Sequence, residues 1–287
     1  MSLLDSTAAG IVLPEFVGPL VVQPLRNQST ALQIATEVQT PSPSFRLPVI
    51  DTDAACDWVP EGSDITPSDP SVGEEVVVPK KVAALVKVSN ELASDSSPAA
   101  TAVVGDSLAR SLARRIDSAF FGNTVANGPS GLLSVAGISH VTSGSFDNFD
   151  CFVEAQSKLE RVGSTVTAWA ASYETVRILS EVKKITGTSL SSNENLLADP
   201  QAGAAGPTAR TILGVPLYSL PEGVIDDGIV WAIDQAKTFA VIRQDISLTV
   251  DPSFYFGSDS LAVRVVMRAA FGFPHPAAIC KISASGS

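Results

Sequence analysis

Ser97-Pro98-Ala99-Ala100-Thr101-Ala102-Val103-Val104-Gly105-Asp106-Ser107-Leu108-Ala109-Arg110-Ser111-Leu112-Ala113-Arg114-Arg115-Ile116-Asp117-Ser118-Ala119-Phe120-Phe121-Gly122 is the strongest helix signal in the chain. Ser97 suits an N-cap and Pro98 a first helical position, where its missing N–H costs nothing. Val104, Leu108, Leu112, Ile116 and Phe120 recur every fourth residue and form one apolar stripe. Asp106 and Arg110 have i,i+4 spacing on another side, and Gly122 can terminate the helix. At 1.5 Å per residue such a helix spans roughly 35 Å. It is long enough to act as the spine of a domain.

Upstream of it, Val82, Ala84, Val86 and Val88 alternate with Ala83, Leu85, Lys87 and Ser89, which predicts a strand with one face packed. Before Lys80 the character changes. Residues 1–79 hold eleven acidic and two basic residues, net −9, leaving −2 for residues 80–287 of the total −11. Ten of the 19 prolines also fall at or before Pro79. Proline removes ladder donors and interrupts helices, so this portion is neither mainly helical nor a central sheet. Phe45–Ile50 and Glu75–Val78 read as strands, with Trp58-Val59-Pro60-Glu61-Gly62 and the turn residues 63–73 between them. That is a long hairpin with an irregular tip. An isolated two-stranded hairpin is marginal in water, so it needs a surface to lie on. A neighbouring copy of the chain is the expected surface.

Downstream, a helix fits Asp147–Val162, with Phe149, Phe152, Val153 and Leu159 on one face and a Glu154/Lys158 pair. A strand at Thr165–Ala170 follows, then a helix capped by Ser172 and carrying Val176, Leu179 and Val182. Residues 186–211 read as a long surface loop. Strands are predicted at Val215–Leu220, Val230–Ile233, Thr238–Ile242, Ile246–Val250, Leu261–Met267 and Ala277–Ile282. There is no internal repeat. The class is α+β, a mixed body with extended arms at its front end.

Composition narrows the function. Charged residues are only 17% of the chain against 45% hydrophobic, with mean hydropathy +0.25. A typical domain carries roughly 25% charged residues, so this one has a large core or an apolar surface covered by other chains. Net charge −11 argues against a protein whose work is neutralising nucleic-acid phosphates. No apolar run approaches membrane-span length. Three cysteines and two histidines stand singly, so no cofactor or metal is expected. Ser180-Glu181-Val182-Lys183 matches the S-x-x-K spacing of penicillin-recognising hydrolases. No K-T-G strand follows at a suitable distance, and the match reads better as a solvated helix end. Gly-rich phosphate loops and nucleophile elbows are absent. The residues thus carry no active site, and the protein is not expected to be an enzyme. Arg110, Arg114 and Arg115 form the tightest basic cluster and suit the carboxylates of the acidic arm or of a neighbour.

Several stretches in order resemble the major capsid proteins of tailed double-stranded DNA phages, the Hong Kong 97-type fold. They are Pro14-Glu15-Phe16-Val17, Trp58-Val59-Pro60-Glu61-Gly62, Lys80 to Leu92, Leu108 to Asp117, and Phe120-Phe121-Gly122-Asn123 with Pro129-Ser130-Gly131-Leu132. Leu213-Gly214-Val215-Pro216-Leu217 and Arg268 with Pro276-Ala277-Ala278-Ile279 complete the series. The resemblance implies a structural protein whose copies form pentamers and hexamers that close into an icosahedral shell around packaged double-stranded DNA. It implies an N-terminal arm over 1–44, an extended loop over 45–80, and a peripheral domain over 81–130 with its spine helix at 98–121. An axial domain would follow over 131–237, then peripheral strands over 238–265 and a return to the axial domain over 266–287. Phe45, Trp58, Glu61, Arg110, Arg114 and Arg115 are the expected inter-subunit contacts. An encapsulin-like nanocompartment shares this fold and is the alternative.

The resemblance also marks two departures. Some members weld subunits by a Lys–Asn isopeptide bond assisted by a buried Glu. Residues 47–79 hold no lysine, the late strand region has Gly257-Ser258-Asp259, and Val265 and Val266 stand where the acid is expected. Closure is therefore expected to be non-covalent or helped by a separate cement protein. The arm pattern starts within about 14 residues of Met1, so any scaffold is expected to be a separate chain. Separate portal proteins, a virion location, assembly in the host bacterial cytoplasm, and no membrane or sequence-specific DNA contact follow in the same way.

Overall fold

The computed structural model describes residues 25, 28–52, 54, 56–62, 64, 67–89, 98–185, 191–195, 197 and 210–284. The arm before Leu25, the Ser97 cap and most of the 186–211 loop lie outside the described residues. The chain runs through α1 (Thr30–Ile34), β1 (Thr36–Gln39), the hairpin β2 (Phe45–Thr52) and β3 (Ser71–Val77), β4 (Lys80–Ser89) and α2 (Pro98–Phe121). It continues through β5 (Ser139–Ser143), α3 (Asp150–Arg161), β6 (Ala168–Ser172), α4 (Tyr173–Glu181), β7 (Lys183–Ile185) and β8 (Ser191–Asn195). The last strands are β9 (Thr211–Ile212), β10 (Val215–Leu220), β11 (Ile229–Ile233), β12 (Phe239–Tyr255), β13 (Ser260–Gly272) and β14 (Ile279–Ala284).

Two sheets organise the body. The first is four-stranded in the order β1-β12-β13-β4, and α2 packs on one of its faces. Leu108, Leu112, Ile116 and Phe120 of the predicted stripe are buried there against Val265, Met267 and Phe271 of β13. The alternation in β4 appears as half-buried Val82, Ala84 and Val86, with Leu85 and Lys87 outward. Phe120 makes edge contacts with Phe121 and Phe271, at 4.9 and 5.0 Å between ring centroids. Such aromatic geometry adds about 1 kcal/mol beyond area burial. Asp106 and Arg110 do not form the ion pair that their spacing offers among the described residues.

The second sheet has the order β5-β14-β11-β6-β10-β9. Its central strands β6 and β11 are buried along their whole length, so they read as apolar runs rather than as alternating ones. Beneath α3 and α4, Phe152, Leu159, Trp169, Val176, Leu179 and Ile282 form a second core. Ser172 caps α4 as expected, its hydroxyl accepting from the Thr175 N–H at 3.2 Å. The Glu154–Lys158 pair forms at 2.8 Å.

Some boundaries differ from the sequence reading, each for a local reason. Helix α3 begins at Asp150 and not at Asp147, because the Asn148 side chain accepts the Asp150 N–H and holds 145–149 as a polar turn. The two strands expected at 238–242 and 246–250 are one 17-residue strand. Irregular registers between Ile242 and Ser247 carry the polar Arg243-Gln244-Asp245 through the ladder as bulges. Strand β13 stays in the four-stranded sheet to Gly272, seven residues beyond Val265.

Candidate assembly surface

The hairpin β2–β3 is a two-stranded sheet that no further strand among the described residues extends. Among the described residues it is fastened to the body at its base. Leu47 and Val77 pack with Val241 and Ala270, and Phe45 and Phe239 lie against that cluster. Gly272 makes the approach possible, since a β-carbon there would collide with Leu47 Cδ1 and Val77 Cγ2. Glu75 completes the anchor by accepting the Phe273 N–H on both carboxylate oxygens, at 3.1 and 2.9 Å. Burial pushes the Glu75 carboxyl above its ordinary range, and the Phe273 N–H pulls it part of the way back.

Beyond the base, none of the described hairpin side chains joins a core cluster of its own chain. Trp58 is 104% exposed, and Glu61 beside it is exposed as well. Val59, Val72 and Val76 also face outward. Arg46 reaches Glu74 at 2.7 Å, but an exposed pair of this kind adds at most about 1 kcal/mol. An apolar ribbon that covers no core in its own chain is a surface waiting for a partner.

The predicted cationic residues lie elsewhere. Arg110, Arg114 and Arg115 stand on the exposed face of α2, and none pairs with a described carboxylate. The structure therefore distributes the six expected contact residues over three places. Trp58 and Glu61 sit at the hairpin tip and the three arginines on the body. Phe45 is half-buried at the hairpin base.

Sequence reasoning missed Asp117. It is 3% exposed on α2 and accepts from the Ser29 hydroxyl at 2.7 Å, Ala31 N–H at 2.9 Å and Thr30 N–H at 3.2 Å. It thus satisfies the amides at the start of α1, and so ties the end of the arm to the spine helix. Burial raises its carboxyl above the ordinary value, opposed in order by the Ala31, Ser29 and Thr30 hydrogen bonds. The signal was available: Ala113, Asp117 and Phe121 form an i,i+4 line beside the apolar stripe. A carboxylate on such a line must find donors.

The hydrolase reading loses its geometry. Helix α4 ends at Glu181, so Ser180 and Lys183 do not share a helix, and the Ser180 hydroxyl donates to the Val176 carbonyl at 2.7 Å. Among the described residues no cluster of three metal-binding side chains occurs, and no helix is long and apolar enough to cross a membrane.

A spine helix on a long sheet, a second sheet, and a projecting hairpin left bare by its own chain define a shell-building subunit. The comparisons agree. The phage capsid family matches residues 9–284, and the chain belongs to that family. It is a structural capsid protein, built into a shell from copies of itself in the virion. The capsid of a native GTA particle shares its fold with a TM-score of 0.66 and 20% identity, covering 90% of this chain and 91% of that one. Structures from Microbacterium phage Oxtober96 and Mycobacterium phage Bobi reach TM-scores of 0.69 at 19% and 18% identity, each covering 90% of this chain and 91% of theirs. No curated protein matches the chain.

Proposed function

We propose that this capsid protein assembles as pentamers and hexamers that close into an icosahedral shell around packaged double-stranded DNA. The observation that carries the reading is the bare hairpin, whose exposed Trp58 and valines require a neighbour's surface in every copy. Phe45, Trp58 and Glu61 on the hairpin, and Arg110, Arg114 and Arg115 on α2, are the inter-subunit contacts. The chain divides into an arm (1–44), an extended loop (45–80), a peripheral domain (81–130 and 238–272) and an axial domain (131–237 and the C-terminal strand). A separate scaffold, a portal and a cement protein complete the particle, which assembles in the bacterial cytoplasm. The net charge of −11 suits a wall that encloses DNA without gripping it.

Nuclease protection tests the reading. Particles recovered from the host are treated with DNase and then opened. Double-stranded DNA surviving inside supports it. Particles holding folded protein in place of DNA would mean a nanocompartment instead.

A further inference from the structure

A cleft of about 160 Å³ lies between the start of β4, the last turns of α2 and the loop at 125–129. Its charged lining residues are Lys80, Lys81 and Arg115, all cations, above an apolar floor that includes Ile116, Ala119 and Phe271. All three cations are exposed, and none pairs with a described carboxylate. The chemistry that fits is an acidic segment with one large apolar side chain.

The chain carries such a segment. The hairpin tip reads Asp57-Trp58-Val59-Pro60-Glu61, and residues 47–79 contain no lysine or arginine to neutralise it. The tip cannot reach the cleft of its own chain. Strand β3 runs from Ser71 to Val77 and leads through Pro79 into Lys80 at the hairpin base. At about 3.3 Å per residue, the tip lies some 20 Å or more away. The occupant must be a second copy.

We propose that the Asp57–Glu61 tip of one copy seats in the Lys80/Lys81/Arg115 cleft of its neighbour, a refinement that rests on the shell reading above. Asp57 and Glu61 pair with the three cations, and the Trp58 indole covers the apolar floor. Trp and Arg are the side chains on which interfaces most often depend. The opposite charges of arm and body then become a rule of register, since a tip offered to an acidic face is repelled.

Native side chains provide the first test. Cys56 is the exposed cysteine beside the tip, while Cys151 and Cys280 are buried. Shells grown from mixed heavy- and light-isotope chains are treated with a short thiol-to-amine cross-linker and digested. The expected product joins Cys56 to Lys80 or Lys81, with one heavy and one light half. Links from Cys56 only to other lysines, or no link between copies, overturn the assignment. Charge exchange provides the second test. Glu61→Lys and Arg115→Glu should each lower shell yield at least about tenfold near 0.1 M salt, and the double variant should recover most of it. Singles that assemble normally, or a double that is no better than either single, overturn the pairing. Wild-type chains that form no shells in parallel would instead overturn the assembly reading beneath it.

Discussion

Asp117→Ala removes the acceptor that holds the arm to the spine helix, and its cost can be worked from the contacts. Three donors lose their partner: the Ser29 hydroxyl and the Thr30 and Ala31 amides, at sites no more than 9% exposed. An orphaned buried donor costs about 1–3 kcal/mol, but relief of a buried carboxylate offsets part of the sum. The net expectation is a loss of about 2–4 kcal/mol. For a chain of this size that lowers Tm by roughly 3–7 °C. Asp117→Asn keeps one carbonyl acceptor and should cost about half as much. The pH dependence carries a definite sign. Burial raises the folded-state pKa of Asp117, so between the unfolded and folded values the native protein holds the extra proton. Wild-type stability from this group therefore falls as pH rises through that window, while asparagine does not titrate. The deficit of the Asn variant should accordingly shrink as pH rises above the ordinary aspartate range. Denaturant unfolding of the unassembled chain measures both effects, and trypsin cleavage at Arg26, three residues before Ser29, reports release of the arm. An alanine variant within about 0.5 kcal/mol of wild type, with unchanged cleavage at Arg26, would refute the latch.

Three further outcomes follow from burial and packing. Trp169 and Trp231 are buried while Trp58 is fully exposed, so acrylamide should quench one exposed tryptophan in the free chain and lose most of that access in shells. Equal quenching in both states would mean that the hairpin stays uncovered. Maleimide should label Cys56 alone in the native chain, because burial raises the Cys151 thiol and pushes the Cys280 thiol up to about 12. Mass spectrometry should find three labels only after denaturation. A β-carbon at Gly131 would meet the backbone carbonyls of Ala119, Gly122 and Phe120, whereas at Gly272 it meets side chains that can yield. Thermal melts should therefore show Gly131→Ala costing more than about 3 kcal/mol, and Gly272→Ala about 1–3 kcal/mol. The reverse order would contradict this packing.

Elements governed by local pattern were legible in the sequence. The four-residue stripe of α2 and the Ser172 cap depend on neighbours along the chain, and both stand where the pattern puts them. The hairpin was legible because proline, charge and two short β-rich runs agree, and Phe45 opposite Val77 and Leu47 opposite Glu75 bear out the pairing, although β3 starts at Ser71, inside the stretch read as turn. What escaped depends on contacts between distant residues. The bulges that unify β12 are imposed by its partner β13, and a local reading of Arg243-Gln244-Asp245 sees only a break. Asp117 and Glu75 looked like two of thirty carboxylates, because their donors lie 86 or more residues away in sequence. For the proposed contact surface, Trp58, Glu61 and the arginines were legible, but not the cleft. That cleft exists only once β4 and α2 are brought together.

The most direct test of the central claim is electron microscopy of the purified full-length chain, alone or co-expressed with its neighbours, alongside particles from infected cells. The account predicts closed shells or tubes tiled by five- and six-fold capsomers, with hairpin density crossing from each copy onto the next. A monodisperse monomer or small oligomer whose residues 45–80 resist protease would contradict it, because the hairpin would then be stable without a neighbour.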